Sequence, residues 1–210
     1  GIWKNRESNE TISMAEKTSE QKQMHFFPSL EKYDQDEVVV EDKGLSKYIN
    51  LDTENIYLGA VFANKMFAKS KIPVVERLIN NLMRTEKYNG KKIKAYKIVR
   101  SAFEIIDEKM NKNPLQVLVH AIQHAAPKEE ATRLRFGGIL VPKAVDTAPQ
   151  RRLDIALRNI CTGTVKASHK NKKRIENILA DEIMKASKND VSSFSVGRKN
   201  EIERVAKSAR

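Results

Sequence analysis

The sequence predicts a mainly α-helical fold: a bundle of six or seven helices with one protruding β-hairpin and an extended N-terminal arm. Three observations lead to this prediction. Apolar residues recur at helical spacing through most of the chain beyond residue 55. A Gly-Gly pair separates two alternating segments between residues 132 and 146, which is typical of a hairpin. Residues 1–54 show neither pattern and are acidic, with 7 Lys+Arg against 12 Asp+Glu.

The acidic part of the chain divides into two segments. Residues 1–20 are polar and carry too little apolar surface to offset the entropy of ordering, so we expect a disordered tail. Residues 21–54 form the acidic extended arm. Its apolar residues, Phe26, Phe27, Leu30 and the valines 38–40, can pack either as a short strand or as an extended segment across a surface. Acidic residues between them make the arm a poor RNA binder.

Residues 55–210 are predicted to form one helical domain. Apolar pairs at 74/75, 78/79 and 82/83 form a stripe after Pro73, which suits a first helical position. The opposite, polar face of this helix contains Glu76, Arg77, Asn80, Asn81 and Arg84. Residues 93–110 combine an apolar face with a separate cationic ridge that contains Lys91, Lys94, Lys97 and Arg100.

The next helix has a clear start signal. Asn113, Pro114 and Gln116 match an N-cap, a first helical position and a capping-box partner. The helix over 115–125 carries so few charges that we expect it at the centre of the bundle, and Pro127 ends it. Three more helices are predicted later in the chain, over 149–162 closed by Gly163, over about 169–188, and from Gly197 to the end.

The hairpin is predicted over 132–146. Thr132, Leu134 and Phe136 alternate with Arg133 and Arg135 before Gly137 and Gly138, and β-branched residues resume at Ile139. Pro142 cannot donate a ladder hydrogen bond, so its strand must leave that edge open. A hairpin that projects from a helical body suits contact with a second partner.

Charge and cysteine content limit the class of protein. The net charge of +12 and the pI near 9.7 favour a polyanionic partner, either nucleic acid or an anionic membrane surface. The longest apolar stretch, around residues 115–122, is far shorter than the ~20 residues of a membrane span, and we expect no secretory signal. The single cysteine, Cys161, excludes an intramolecular disulfide, so the cytosol is the expected compartment.

Residues with catalytic or metal-binding chemistry do not converge in the sequence. His120 and His124 are four residues apart, but no third ligand is apparent, so we interpret them as core or interface histidines. Cys161 is predicted to be a buried small residue. Adjacent carboxylates occur at 107/108 and 181/182, where we expect solvated positions or partners for Lys109 and Lys185, and at 129/130, which we expect in a loop. We therefore predict a binding protein without cofactor, metal or enzymatic activity.

Basic residues, in contrast, form five clusters at helix starts, in the hairpin and in the C-terminal segment, which favours a surface that follows several phosphate strands. The pattern contains no zinc finger, basic zipper or compact helix-turn-helix, so a folded RNA is favoured while DNA stays open. The predicted RNA-binding residues are Lys91, Lys92, Lys94, Lys97, Arg100, Arg133, Arg135, Lys143, Arg151, Arg152, Arg158, Lys170, Lys172, Lys173, Arg174, Arg198, Lys199, Arg204, Lys207 and Arg210.

Several short segments match one protein family in order along the chain. They are IPVVERL at 72–78, NGKK at 89–92, AFEII at 102–106, NPLQVLV at 113–119, AVD at 144–146 with PQRR at 149–152, LADEI at 179–183 and ERVAKS at 203–208. Together they closely resemble the universal ribosomal protein seven family of the small subunit, in the form called small-subunit protein five in eukaryotes. The resemblance covers about residues 45–210.

The resemblance implies a structural constituent of the small ribosomal subunit that binds the 3′ major (head) domain of small-subunit rRNA and supports head assembly and translation. It implies that the hairpin reaches toward exit-site tRNA and mRNA, and that neighbouring head and platform proteins contact the chain. By matching position, Lys91, Lys92, Arg133, Arg151 and Arg152 would contact rRNA or tRNA. The implied location is the cytoplasmic ribosome, with a nucleolar assembly stage.

Two positions depart from the family pattern. Val141 and Pro142 stand just past the hairpin tip, where eukaryotic relatives usually carry more arginine, which weakens the case for direct tRNA contact by the tip. Ala148 stands where a serine cap often precedes the proline, a loss that costs about 1 kcal/mol of helix stability. Two other classes remain as alternatives: a DNA- or chromatin-binding helical module, and an RNA-processing enzyme, which would require a convergent acid or metal cluster.

Overall fold

A computed structural model describes residues 33–52, 62, 65–85 and 88–210, so the predicted disordered tail and the first part of the arm lie outside the described residues. This part of the chain contains seven α-helices and one antiparallel hairpin, which confirms the predicted mainly α fold. The elements are α1 (Lys43–Ser46), α2 (Val74–Met83), α3 (Lys92–Met110), α4 (Pro114–Ala125), β1 (Glu129–Phe136), β2 (Ile139–Asp146), α5 (Pro149–Ser168), α6 (Ile175–Ser187) and α7 (Phe194–Ser208).

Helix α4 lies at the centre of the bundle, as predicted from its composition. It packs against α3, α5, α6 and α7, and Leu115, Leu118 and Ile122 are fully buried. Asn113 caps it by accepting a hydrogen bond from the Leu115 N–H at 3.0 Å. A helix without Asp, Glu, Lys or Arg can be surrounded by neighbours because no side chain has to keep a charge in water.

Gln116 does not complete the predicted capping box, because the N-terminal arm occupies its side chain. The Val39 N–H donates to Gln116 Oε1 at 2.8 Å, and Gln116 Nε2 donates to the Val39 carbonyl at 3.1 Å. One side-chain amide thus satisfies the backbone groups that a partner strand would otherwise satisfy. Of the two conformations predicted for residues 38–40, the structure shows the extended segment and no strand.

The polar face predicted for α2 is partly buried, which corrects that prediction. Glu76 and Arg77 are only 1% and 2% exposed. Lys92 Nζ lies 2.8 Å from Glu76 Oε1, and Arg77 Nη2 donates to Asp154 Oδ1 of α5 at 2.8 Å. Both charges tolerate burial because α3 and α5, which pack on α2, supply partners of opposite sign.

Tertiary packing also moves three predicted helix boundaries. Helix α5 continues through Gly163 to Ser168, because this glycine provides space for Phe194 rather than a helix end: a Cβ at Gly163 would lie 2.8 Å from the Phe194 Cβ. Helix α6 begins at Ile175 rather than near residue 169. Helix α7 begins at Phe194, three residues before Gly197, with Ser193 as its N-cap.

The hairpin begins earlier than predicted, at Glu129, so the 129/130 carboxylates lie at the base of a strand and not in a loop. Its strands pair in register from Glu129 opposite Asp146 to Phe136 opposite Ile139. Gly137 and Gly138 have φ values of 53° and 89°, as a tight hairpin turn requires. The base of the hairpin packs on α7, and most side chains of β2 are exposed.

Candidate nucleic-acid interface

The cationic ridge of α3 is exposed as predicted, because the opposite face of the helix, with Ala95, Val99 and Ala102, is buried in the core. Lys94 Nζ lies 5.4 Å from the centroid of the Tyr88 ring, which holds the ammonium in place without neutralising it. Arg100 pairs with Glu104 one turn later, at 3.2 Å. Lys92, by contrast, is half-buried and pairs with the buried Glu76 of α2.

A groove of about 480 Å³ separates the hairpin base from α5 and α7. We call it the arginine groove, and its charged lining consists of Glu130, Arg151, Arg158, Arg198 and Glu201. Arg151 Nε lies 2.7 Å from Glu130 Oε1, and Arg198 pairs with Glu201. Arg158 forms no ion pair within the described part of the chain. Exposed ion pairs contribute little to stability, so a phosphate can replace these carboxylates.

Arg152 does not line this groove, and its contact with RNA stays a prediction. The residue is 8% exposed, and its Nη2 donates to Asp42 Oδ2 at 2.8 Å. Asp42 also accepts from the Gly44 N–H at 2.9 Å and so caps α1. Burial acts to raise the pKa of Asp42, but the hydrogen bonds from Arg152 and Gly44 and the Arg152 charge hold that pKa below its ordinary value. Arg152 therefore ties the arm to α5.

The next predicted cluster lies in the connection between α5 and α6, which we call the basic loop. Lys170, Lys172, Lys173 and Arg174 are all exposed there. Asn171 orders the loop, since its side chain accepts from the Lys173 N–H at 3.1 Å and donates to the Ala167 carbonyl at 3.3 Å. The loop follows directly from the late start of α6, because the basic residues precede the helix instead of lying on it.

The last cluster lies on α7 and after it. Arg204 and Lys207 are exposed, and Lys199 lies 3.7 Å from Glu203. Arg210 pairs with Glu129 at the hairpin base, and the Ala144 N–H donates to the Ala209 carbonyl at 3.2 Å. The C-terminal residues therefore hold the hairpin against the body.

Register divides the hairpin cations between two faces. Residues directly opposite each other share a face, so Arg133 and Arg135 lie with Leu140 and Pro142, which we call the arginine face. Lys143 lies opposite Thr132 on the other side of the ribbon. The outer part of that side contains Leu134, Phe136, Ile139 and Val141, which we call the apolar face.

Groups with catalytic potential have structural roles. A ring nitrogen of His120 lies 2.7 Å from Gln116 Nε2. A ring nitrogen of His124 lies 3.2 Å from the Ala186 carbonyl oxygen. Cys161 is buried with its Sγ 3.6 Å from the Leu78 carbonyl, and burial raises the pKa of its thiol. Among the described residues, no group of three or more His, Cys, Asp and Glu could hold a metal ion, and no helix is long and apolar enough to cross a bilayer.

The carboxylate pair on α6 has a role that the sequence did not indicate. Asp181 pairs with Lys109 at 3.1 Å, as expected. Glu182, instead of pairing with Lys185, accepts from the Ser193 and Ser195 hydroxyls and from the Ser195 N–H, at 2.8, 2.9 and 3.0 Å. It thereby caps α7 from a neighbouring helix. The only sequence signal for this contact was the serine-rich start of α7.

A helical body with exposed basic clusters and a projecting hairpin defines a structural nucleic-acid-binding protein. A family model described as "Ribosomal protein S7p/S5e" matches residues 46–210, and the chain belongs to this family of non-enzymatic proteins. The chain is 57% identical over 181 residues to small ribosomal subunit protein uS7 of Thermoplasma volcanium, covering 86% of this chain and 98% of the relative. The chain is 54% identical over 180 residues to small ribosomal subunit protein uS7 of Archaeoglobus fulgidus, covering 85% of this chain and 93% of the relative.

The comparisons confirm the resemblance seen in the sequence motifs. A third relative, small ribosomal subunit protein uS7 of Methanothermobacter thermautotrophicus, is 51% identical over 180 residues and covers 85% of this chain and 97% of the relative. The relatives named here are archaeal, whereas the motifs had suggested the eukaryotic form, and the family description covers both. Residues 1–45 lie outside the family match.

Proposed function

We propose that this protein is a structural constituent of the small ribosomal subunit and binds the 3′ major (head) domain of small-subunit rRNA. The observation that carries this proposal is the separation of charge in the fold. Residues 55–210 hold 32 Lys+Arg against 15 Asp+Glu, and exposed cations cluster on α3, in the arginine groove, in the basic loop and on α7. Several phosphate strands of a folded RNA can contact such a surface together.

The arginine groove is the strongest candidate for specific rRNA contact. Glu130 and Glu201 pair with Arg151 and Arg198 at its rim before any partner arrives. Preordered guanidinium groups lose less side-chain entropy when they bind phosphate. We expect Arg158, which has no carboxylate partner among the described residues, to gain the most from a phosphate in the groove.

Salt-dependent binding to a transcript of the rRNA head domain tests this proposal. Arg158→Ala and Lys97→Ala should each lower affinity and reduce the slope of log K against log salt by about 1 per lost phosphate contact. Lys112→Ala is the matched control, because it removes the same charge at an exposed lysine beside Asn113, whose side chain donates to the Asp34 carbonyl of the acidic arm. Equal affinity of the protein for duplex DNA would contradict the proposal and favour the DNA-binding alternative.

The hairpin is the part of the molecule best placed to reach other ligands of the subunit. Following the family resemblance, we propose exit-site tRNA and mRNA as these ligands, and proteins of the head and platform as neighbours. The exposed side chains of β2 and the projecting tip support this role. The site of action is then the ribosome in the cytoplasm. A nucleolar assembly stage would apply only to a eukaryotic source, and the relatives described above are archaeal.

A further inference from the structure

The sequence contains one Asn-Gly pair, Asn89-Gly90, and the fold places it directly before the cationic ridge of α3. Both residues are exposed in the connection between α2 and α3. The Lys91 N–H donates to the Tyr88 carbonyl at 3.0 Å and closes the turn that contains them. Gly90 has a φ of 71°, and a Cβ at this position would meet no atom of the described residues within 4 Å. The pair is therefore open to solvent.

An Asn-Gly pair is reactive because the backbone nitrogen of the glycine can attack the side-chain amide carbon of the asparagine. A Cβ on the second residue hinders this attack, and glycine has none. The Gly90 N–H and the Asn89 side chain form no hydrogen bond to any described residue. No such bond therefore has to break before the two groups meet.

Neighbouring lysines favour the attack electrostatically. A groove of about 420 Å³ runs beside Gly90, and no carboxylate of the described residues lines it. Its other lining residues are Lys91, Lys92, Ile93, Lys94 and Lys97. The attack requires the Gly90 nitrogen to lose its proton and places negative charge on the Asn89 amide oxygen. Cations fixed beside a developing negative charge stabilise it, so the ridge promotes a reaction at its own start.

We propose that Asn89-Gly90 is a spontaneous deamidation site, at which the Asn89 amide becomes a carboxylate and gives the cationic ridge a negative charge at its start. The Gly90 nitrogen forms a bond to Asn89 Cγ, and the bond from Cγ to the amide nitrogen breaks, which releases ammonia and leaves a cyclic succinimide. Water then opens the ring at either carbonyl carbon and yields aspartate or isoaspartate. An amide and water thus become a carboxylate and ammonium, and no oxidant or reductant is needed. This chemistry goes beyond the proposed function, and only its effect on RNA binding rests on that function.

The isoaspartyl product also changes the backbone, because the chain then passes through the former side-chain carbonyl and becomes longer. The added length falls inside the turn that the Lys91 N–H closes on the Tyr88 carbonyl. The buried Tyr88 ring lies 5.4 Å from Lys94 Nζ, so the same turn helps to position an ammonium group of the ridge. Deamidation therefore adds a negative charge and disturbs a neighbouring cation, and both effects lower the affinity for phosphate.

The test incubates the full chain without RNA at neutral and at mildly alkaline pH and follows its asparagines by peptide mapping and mass spectrometry. We expect Asn89 to become a mixture of isoaspartate and aspartate, faster at the higher pH because the attacking nitrogen must lose a proton. Asn171 is the reference within the same chain, since it is exposed but its side chain is hydrogen-bonded and Lys172 follows it. Equal rates for the two asparagines, or aspartate without isoaspartate at Asn89, would overturn the proposal.

Two variants connect the modification to the ridge. Asn89→Gln keeps an amide but would have to close a larger ring, so it should stay unmodified, whereas Asn89→Asp carries the charge from the start. We expect the incubated wild-type chain and Asn89→Asp to bind the rRNA head-domain transcript roughly fivefold more weakly than fresh protein at low salt. Incubated Asn89→Gln should bind as fresh protein does.

The two proposals fail in different ways. Unchanged affinity of a wild-type chain whose Asn89 is fully converted would overturn the effect on the ridge. A fresh chain that does not bind the transcript would contradict the proposed function, whereas the deamidation of Asn89 is judged by mass spectrometry alone.

Discussion

Arg151 and Arg152 show how much the environment of adjacent residues can differ on one helix. Arg151 has a side chain that is 60% exposed and lies at the rim of the arginine groove, whereas Arg152 points to Asp42 and is buried. Both were predicted as RNA contacts because both follow Pro149 in the first turn of α5. Helical geometry turns successive side chains by about 100°, so only one of them can face the groove.

Single substitutions should separate these two roles. Arg152→Ala leaves Asp42 without its partner and should lower the free energy of unfolding by about 1–3 kcal/mol, with no change in the salt slope of rRNA binding. Arg151→Ala should change stability by less than about 0.5 kcal/mol and lower the salt slope by about 1. Urea denaturation and salt-dependent binding measure the two effects. A reduced slope for Arg152→Ala at normal stability would show that Asp42 releases the guanidinium to RNA.

A second residue-scale prediction concerns the pair of buried Arg77 and half-buried Asp154. Burial acts to raise the pKa of Asp154, but the hydrogen bond and charge of Arg77, together with Lys69, hold that pKa below its ordinary value of 3.8. A carboxyl with a lowered folded-state pKa stabilises the fold above pH 3.8, and this contribution is lost as the pH falls below 3.8 through the folded-state value.

Asp154→Asn should therefore lower the free energy of unfolding by about 2 kcal/mol at neutral pH, and this difference from wild type should shrink in acid. Unfolding by urea across a pH series measures it. Asp181→Asn serves as control, because its pair with Lys109 is largely exposed and should contribute little at any pH. A difference that stays constant down to pH 2 would show that the Asn side chain perturbs packing instead of charge.

At the scale of elements, Gly163 of α5 and Gly197 of α7 differ in the space available for a side chain. A Cβ at Gly163 would lie 2.8 Å from both Cβ and Cδ1 of Phe194, whereas the nearest atom to a Cβ at Gly197 is the Val191 carbonyl oxygen at 3.7 Å. The first distance requires a shift of α7, because the Phe194 Cβ moves only with its backbone. The second is an ordinary contact.

Gly163→Ala should therefore destabilise the protein by about 1–2 kcal/mol net, since overpacking outweighs the gain in helix propensity. Gly197→Ala, with the same chemical change, should be neutral or stabilising by up to about 1 kcal/mol. Thermal and urea denaturation of the two variants provide the comparison. Equal stability of both would mean that α7 can move away from α5 without cost.

The arm is attached to the helical body both by apolar residues that join the core, such as Leu45 and Ile49, and by polar contacts to α4 and α5. Gln116→Ala removes both hydrogen bonds to Val39 while keeping a strong helix former. We expect amide hydrogen exchange at Val39 to accelerate at least tenfold while α4 keeps its protection. Lys112→Ala should leave exchange at Val39 unchanged. Persistent protection of Val39 in Gln116→Ala would show that apolar packing of Val38 and Val40 is sufficient to hold the arm.

For the whole molecule, the fold separates a cationic body from a hairpin that meets it only at the base. Replacing residues 134–142 by a short Gly-Ser turn removes the tip but keeps the Glu130 contact to Arg151 and the Glu129 contact to Arg210. We predict that small subunits incorporate this variant almost normally, because the body supplies most of the phosphate contacts. The particles should hold exit-site tRNA less well.

Sedimentation of subunits and filter binding of tRNA on the same particles provide the measurements. An Arg133→Ala, Arg135→Ala variant that keeps the tip is the matched control for lost charge. If the truncated protein folds but fails to enter subunits, the hairpin is an assembly element and the separation proposed here is wrong.

Local patterns in the sequence were sufficient to predict the main helices, the hairpin and the class of protein. The central position of α4 follows from its lack of charge, the hairpin follows from Gly137 and Gly138 between alternating segments, and the exposed ridge of α3 follows from helical spacing. These features depend on residues within a few positions of each other. Their periodicity and turn chemistry are therefore readable from the sequence without knowledge of the rest of the fold.

Only the tertiary structure decided which charged and small residues serve the fold and which face the solvent. Arg77 and Asp154 are 77 positions apart, and Arg152 and Asp42 are 110 apart, so neither burial was visible in local spacing. Gly163 has the sequence signature of a helix end, and only the approach of Phe194 shows its packing role. The physical reason is that a charge is buried when a distant partner compensates its desolvation, and a glycine is required where another chain segment approaches closely.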